Sequence, residues 1–243
     1  MIHHRERVGD VDKLYDISLK LIPLSYEPPL RDLQLALTHL DNDHPERAVT
    51  TLVDALKGGR KLMTEIRGRE IDLSHELIRA LTDALIQAGQ QDRIDEVLKK
   101  VVDDNPEYWT NMMFGWAMAC ERLGRKGKSE ELLGKVLDKD PKHPRANNAL
   151  GYSWADQGKN LDKARKMIQI ALDDEPASAA YLDSMGWVEY KLGNFDEAIK
   201  WLERSRVEEG GDHPVILDHL GDALYRAGRQ IDALEMWHRA QGK

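Results

Sequence analysis

Cysteine is almost missing from these 243 residues: Cys120 stands alone, which excludes an intrachain disulfide framework and a cysteine-based zinc site. Phenylalanine is nearly as scarce, with two residues against eight Met and six Trp. No apolar run approaches the roughly 18–20 residues that cross a bilayer. A basic balance is lacking too. The formal net charge of −8 argues against a phosphate-binding groove and against an RNA-binding function. Disorder is excluded in turn, because 41% of the residues are apolar and 32% charged. A lone cysteine is compatible with the cytoplasm and does not exclude a bacterial periplasm.

Gly and Pro, at 18 and 9, are present in ordinary numbers but in a regular arrangement. Gly89, Gly124, Gly158, Gly193 and Gly228 follow one another at steps of 35, 34, 35 and 35. Each closes an amphipathic stretch and precedes a polar turn and a second such stretch, as in QAGQQDRIDEVL and KLGNFDEAIKWL. Glycine suits a helix end because it adopts the left-handed conformation without a Cβ penalty. Seven residues upstream of each lies a small residue: Thr82, Ala117, Gly151, Gly186 and Gly221. Five or six residues downstream lie Ile94, Ser129, Ala164, Ala198 and Ala233. These two series give each helix of a pair a site of close approach. Leu98, Leu133, Ile168, Leu202 and Trp237 follow as core fillers, and Pro106, Pro141 and Pro176 stop the second helices. In the next unit the proline is displaced to Pro214, after Gly210-Gly211.

The spacing predicts helix, turn, helix, turn, five times between about residue 75 and residue 243. LGYSW at 150–154, MGWVEY at 185–190 and LGDALY at 220–225, with Ala164, Ala198, Ala233 and Pro176, resemble the tetratricopeptide repeat. The resemblance implies an all-α fold, a right-handed α-solenoid of helical hairpins. Residues 28–56 read as a degenerate hairpin with Ala36, Asp43, Ala48 and Leu52 at the repeat sites. Residues 57–74 are expected to form a lengthened helix or loop, extending that unit to residue 74. Residues 1–27, with Gly9, Val11, Leu14, Ile17 and Leu21, read as a half-repeat, so the chain is expected to begin inside a repeat. Residues 75–243 are expected to form one continuous array.

No catalytic, cofactor or metal constellation emerges. GRKGKSE at 124–130 ends like a phosphate-binding loop, but Arg122 stands where its first glycine belongs and Ser129 falls on a core site. The nine histidines lack an HExxH or Cys/His framework and read as surface or turn residues. The carboxylates cluster at helix starts, where they cap free N–H groups. Cys120 reads as a packed small apolar residue.

The family resemblance implies a groove lined by the first helices of successive hairpins, holding a protein or peptide ligand. Carried onto this chain, the candidates are Arg79, Asn111, Phe114, Met118, Arg145, Asn148, Tyr152, Asp183, Trp187, Tyr190, Asp218, Asp222 and Tyr225. Aromatics and arginine are the usual interface anchors. Basic members come first and acidic ones last, which matches a ligand of opposite polarity. The carboxylate clamp that some family members close on chaperone tails is incomplete, because Asp83 and Gly115 occupy two of its sites.

LDSMGWVEYKLGNFDEAIKWLERS at 182–205 and LDHLGDALYRAGRQIDALEMWHRA at 217–240 resemble repeats of bacterial envelope proteins. Some of those are lipoproteins that tether or activate proteases. The expected function is thus a non-enzymatic scaffold or adaptor. The alternatives are the regulatory or oligomerising part of a larger, enzyme-bearing protein, or an envelope adaptor. The chain is cytoplasmic at face value, and periplasmic if it is a piece of an exported protein. Leu224, Leu234 and Trp237 on the last hairpin are expected to be partly open, which points to a homo-oligomer or to a partner docking on that end.

Overall fold

The computed structural model describes residues 26–66 and 68–242. The half-repeat expected over 1–27 and the start of the chain inside it lie essentially outside the described residues. Two units separate by packing, residues 1–132 and 133–243.

In the first unit α1 (Pro28–Asp41) and α2 (Pro45–Ala55) form the degenerate hairpin. Pro28 and Pro45 stand at the helix starts, where a missing N–H costs nothing. Ala36, Ala48 and Leu52 are fully buried between the two helices, as the repeat sites require. Asp43 takes the place of the turn glycine and adopts φ 61°.

The segment that follows departs from expectation. It is neither helix nor plain loop but a two-stranded antiparallel hairpin of β1 (Met63–Ile66) and β2 (Arg69–Asp72), with Ile66 opposite Arg69. A two-residue connection ends on Gly68 at φ 76°, the conformation that tight hairpins demand. Distant groups hold the hairpin in place. The Leu62 N–H donates to the Tyr108 hydroxyl at 3.0 Å, and Asn111 donates to Asp72 at 2.6 Å. The unit continues with α3 (Ser74–Gln87), a 3-10 turn, α4 (Ile94–Asp103) and α5 (Trp109–Arg122), and α6 (Lys126–Lys139) carries the division.

The second unit holds α7 (Pro144–Asp156), α8 (Leu161–Asp174), α9 (Ala179–Leu192), α10 (Phe195–Val207), α11 (Pro214–Arg226) and α12 (Gln230–Ala240). All five turn glycines have positive φ, between 67° and 84°. At Gly193 the turn closes with Gly193 N–H on Tyr190 O and Asn194 N–H on Glu189 O. The small-residue series marks real close approaches. A Cβ on Gly186 would lie 2.5 Å from Leu202 Cγ, and one on Gly151 would lie 2.9 Å from Ile168 Cγ1. Ala164, Ala198 and Ala233 are fully buried on the facing helices.

Candidate protein-interaction surface

Each candidate side chain sits on the first helix of a hairpin, and its exposure depends on what packs beside it. In the first unit Arg79 on α3 is exposed, while Met118 and Asn111 on α5 are half-buried, Asn111 being committed to Asp72. Phe114 is buried, with its ring centroid 5.3 Å from that of His75. Asp83, which breaks the clamp pattern, forms a 2.8 Å ion pair with Arg122. Gly115 is packed so closely that a Cβ there would lie 3.0 Å from Ile78.

In the second unit Arg145 on α7 is exposed, and Asn148 and Tyr152 are half-buried. On α9, Asp183 and Trp187 are only 6% and 8% exposed, so they are closed to a partner. His219 of α11 covers both, with Nδ1 2.9 Å from Asp183 Oδ1 and its ring stacked on Trp187 at 4.0 Å. Trp187 also stacks with Tyr190 at 4.9 Å, under Lys191 Nζ at 4.7 Å. Tyr190 itself is half-buried, with Arg226 6.0 Å from its ring. Cation–π contacts of this kind add modest but real attraction.

α11 is different. Asp218 is exposed, Asp222 half-exposed and Tyr225 51% exposed. Burial pushes the Asp222 carboxyl above its ordinary value, opposed in part by a hydrogen bond from the Trp237 side chain and by nearby His219. The Tyr225 ring lies 5.8 Å from that of Trp237.

Several expectations change here. His39, His143 and His219 are buried rather than surface residues. Only His143, at the N-cap of α7, keeps a turn position, accepting the Ala146 N–H on Nδ1 at 3.1 Å. His219 was legible only as a histidine without metal spacing; its phase, seven residues before Arg226, was the missed signal. Leu224 is buried, not open, whereas Leu234 is exposed and Trp237 half-buried. Cys120 is fully buried, and burial raises its thiol to about 11, so it is unreactive at neutral pH. Ser129 is buried inside α6, as a core site. Among the described residues no group of three or more His, Cys, Asp or Glu could hold a metal ion, and no helix is long and apolar enough to cross a membrane.

The tetratricopeptide-repeat family profile matches residues 159–214, from α8 to the start of α11. A TPR repeat-containing protein of Pseudomonas aeruginosa is 31% identical over 172 residues, 69% of this chain. The chain is built of tetratricopeptide repeats. The match spans only 29% of the Pseudomonas protein's length. Solved structures agree in fold. A tetratricopeptide repeat protein from Parabacteroides merdae superposes with a TM-score of 0.60 at 14% identity, covering 86% of this chain and 77% of that one. A thermophilic TPR protein of Thermus thermophilus gives 0.55 at 20% identity, covering 69% and 90%. MamA of Desulfovibrio magneticus also gives 0.55, at 16% identity, covering 70% and 94%. Tetratricopeptide-repeat proteins generally mediate protein–protein interactions.

Proposed function

We propose that this chain is an interaction scaffold that holds a partner protein or peptide on the open faces of its first helices. The observation that carries the reading is the state of α11. Its inner side is packed, with Leu217, Leu220 and Leu224 buried, yet Tyr225, about 100° further round the helix from Leu224, is 51% exposed. A large aromatic left in water beside carboxylates is the composition of an interface anchor. Arg145 on α7 supplies a second exposed anchor in the same unit.

The test compares proteins in affinity capture from the native host. One carries Arg145→Glu, Asp218→Lys and Tyr225→Ala; the control carries Lys163→Glu and Lys166→Glu on the exposed side of α8. A partner kept by the control and lost by the triple variant supports the reading. A partner lost only by the control moves the surface to the second helices and overturns it.

A further inference from the structure

Three pairs of neighbouring first helices are strapped together by cations that reach backward along the chain. Arg122 on α5 pairs with Asp83 of α3 at 2.8 Å. Lys191 on α9 donates to the backbone carbonyl of Asp156 on α7 at 3.0 Å. Arg226 on α11 lies over the Phe195 ring of α10 at 4.5 Å and 6.0 Å from the Tyr190 ring of α9. All three stand two residues before a turn glycine, at Gly124, Gly193 and Gly228. α11 carries a second strap seven residues earlier, His219, which engages Asp183 and Trp187.

The receiving groups recur at fixed phase as well. Asp83 stands six residues before Gly89, and Asp222 six before Gly228. Asp183 stands ten before Gly193, and Asp218 ten before Gly228. Tyr190 and Tyr225 each stand three before their turn glycine. α11 therefore displays all three kinds of receiving group, and among the described residues no following helix covers them. Asp222 accepts a hydrogen bond from the Trp237 side chain and lies near His219 and Lys191. Yet neither it nor Asp218 has a salt-bridge partner among the described residues, although other charges on this hairpin are paired, as in Arg229–Asp232 and Arg239–Asp212. Like charges four apart on a helix repel, and partial burial of Asp222 adds to that cost.

We propose that the open face of α11, formed by Asp218, Asp222 and Tyr225, docks an α-helix of a partner protein that carries two cationic side chains seven residues apart. The earlier cation meets Asp218, as His219 meets Asp183. The later one meets Asp222 and Tyr225, as Arg122 meets Asp83 and Arg226 meets Tyr190. Seven residues are about two helical turns, which keeps both cations on one side of the incoming helix. A second copy of this chain docking α11 on α11 would set aspartate against aspartate, and a neutral helix would leave both carboxylates without a salt-bridge partner. This rests on the scaffold reading and adds the chemistry of the occupant.

The probe is a lactam-stapled, fluorescein-labelled helical peptide with two arginines seven residues apart on an alanine and leucine face, titrated onto the full chain by anisotropy. Expected is saturable binding that weakens about tenfold or more when both arginines become citrulline, or when the protein carries Asp218→Asn and Asp222→Asn. Moving the second arginine to the opposite side of the helix weakens binding likewise. An Asp218→Arg/Asp222→Arg protein should instead select the peptide with glutamates at the two positions, provided its circular dichroism melt matches wild type. Equal binding of the citrulline peptide, no effect of the asparagine variant, or no binding by about 1 mM peptide overturns the proposal. Dimerisation that the double arginine variant abolishes would give the face to a second copy and overturn it too. A host partner retained by that variant but lost on Arg145→Glu would sink the docked helix while leaving the scaffold reading standing.

Discussion

Gly186 shows what a single residue decides in this molecule. Its place is fixed by phase, seven residues before the turn glycine, and the structure supplies the reason: Leu202 Cγ sits 2.5 Å from where a Cβ would be. Gly186→Leu must push α9 from α10 and should cost about 1–3 kcal/mol. Thermal melting followed by circular dichroism checks this, and an unchanged midpoint would break the assigned register. His143 makes a second prediction at this scale. Its Nδ1 must stay unprotonated to accept the Ala146 N–H. Burial, aided by Arg145 and opposed by Asp140, holds its pKa below the ordinary 6.5, and burial lowers His39 in the same direction. The unfolded chain thus binds the proton more readily. Stability should be full above pH 6.5 and should decline as pH falls below 6.5 toward the lower folded-state values. His143→Asn, which keeps a capping acceptor, should shrink that decline in urea titrations across this window. An equally steep decline in the variant would remove His143 from the account.

At the scale of elements, the five hairpins were legible because turn glycine, small contact residue and core filler all repeat at one period. The β-hairpin was not. Its two short strands have no counterpart in other repeats, and their anchors Tyr108 and Asn111 lie 46 and 39 residues from their partners. No local pattern announces such long-range bonds. Tyr108→Phe removes the acceptor of the Leu62 N–H and should cost about 1 kcal/mol. Hydrogen exchange of the Leu62 amide should accelerate with it; unchanged protection would show that the bond does not hold the hairpin. The candidate surface was legible to the same partial degree. Periodicity placed Asp183, Trp187 and Tyr225 alike on first helices, yet only the next helix decides which of them is covered. His219 closes the first two, and nothing described closes Tyr225.

The whole molecule sets its charge against its exposed apolar groups. On α12, Ile231 is 84% and Leu234 52% exposed, an apolar pair on one helix face, while the net charge of −8 opposes the approach of a second copy. Association through this face should grow with concentration and with salt, which screens the repulsion. Light scattering should show it, and Ile231→Lys with Leu234→Lys should remove it. A constant mass of 27.7 kDa under all these conditions would exclude self-association by this route.

The backward direction of the cationic straps has a consequence for how the chain is made. Asp83 waits 39 residues for Arg122, and Asp183 waits 36 for His219. A polypeptide emerging from the ribosome therefore leaves α3, α7 and α9 each unfastened until one more hairpin has been synthesised, and then latches it. Every latch closes over a single repeat length, so folding can keep pace with translation, one hairpin behind the growing end.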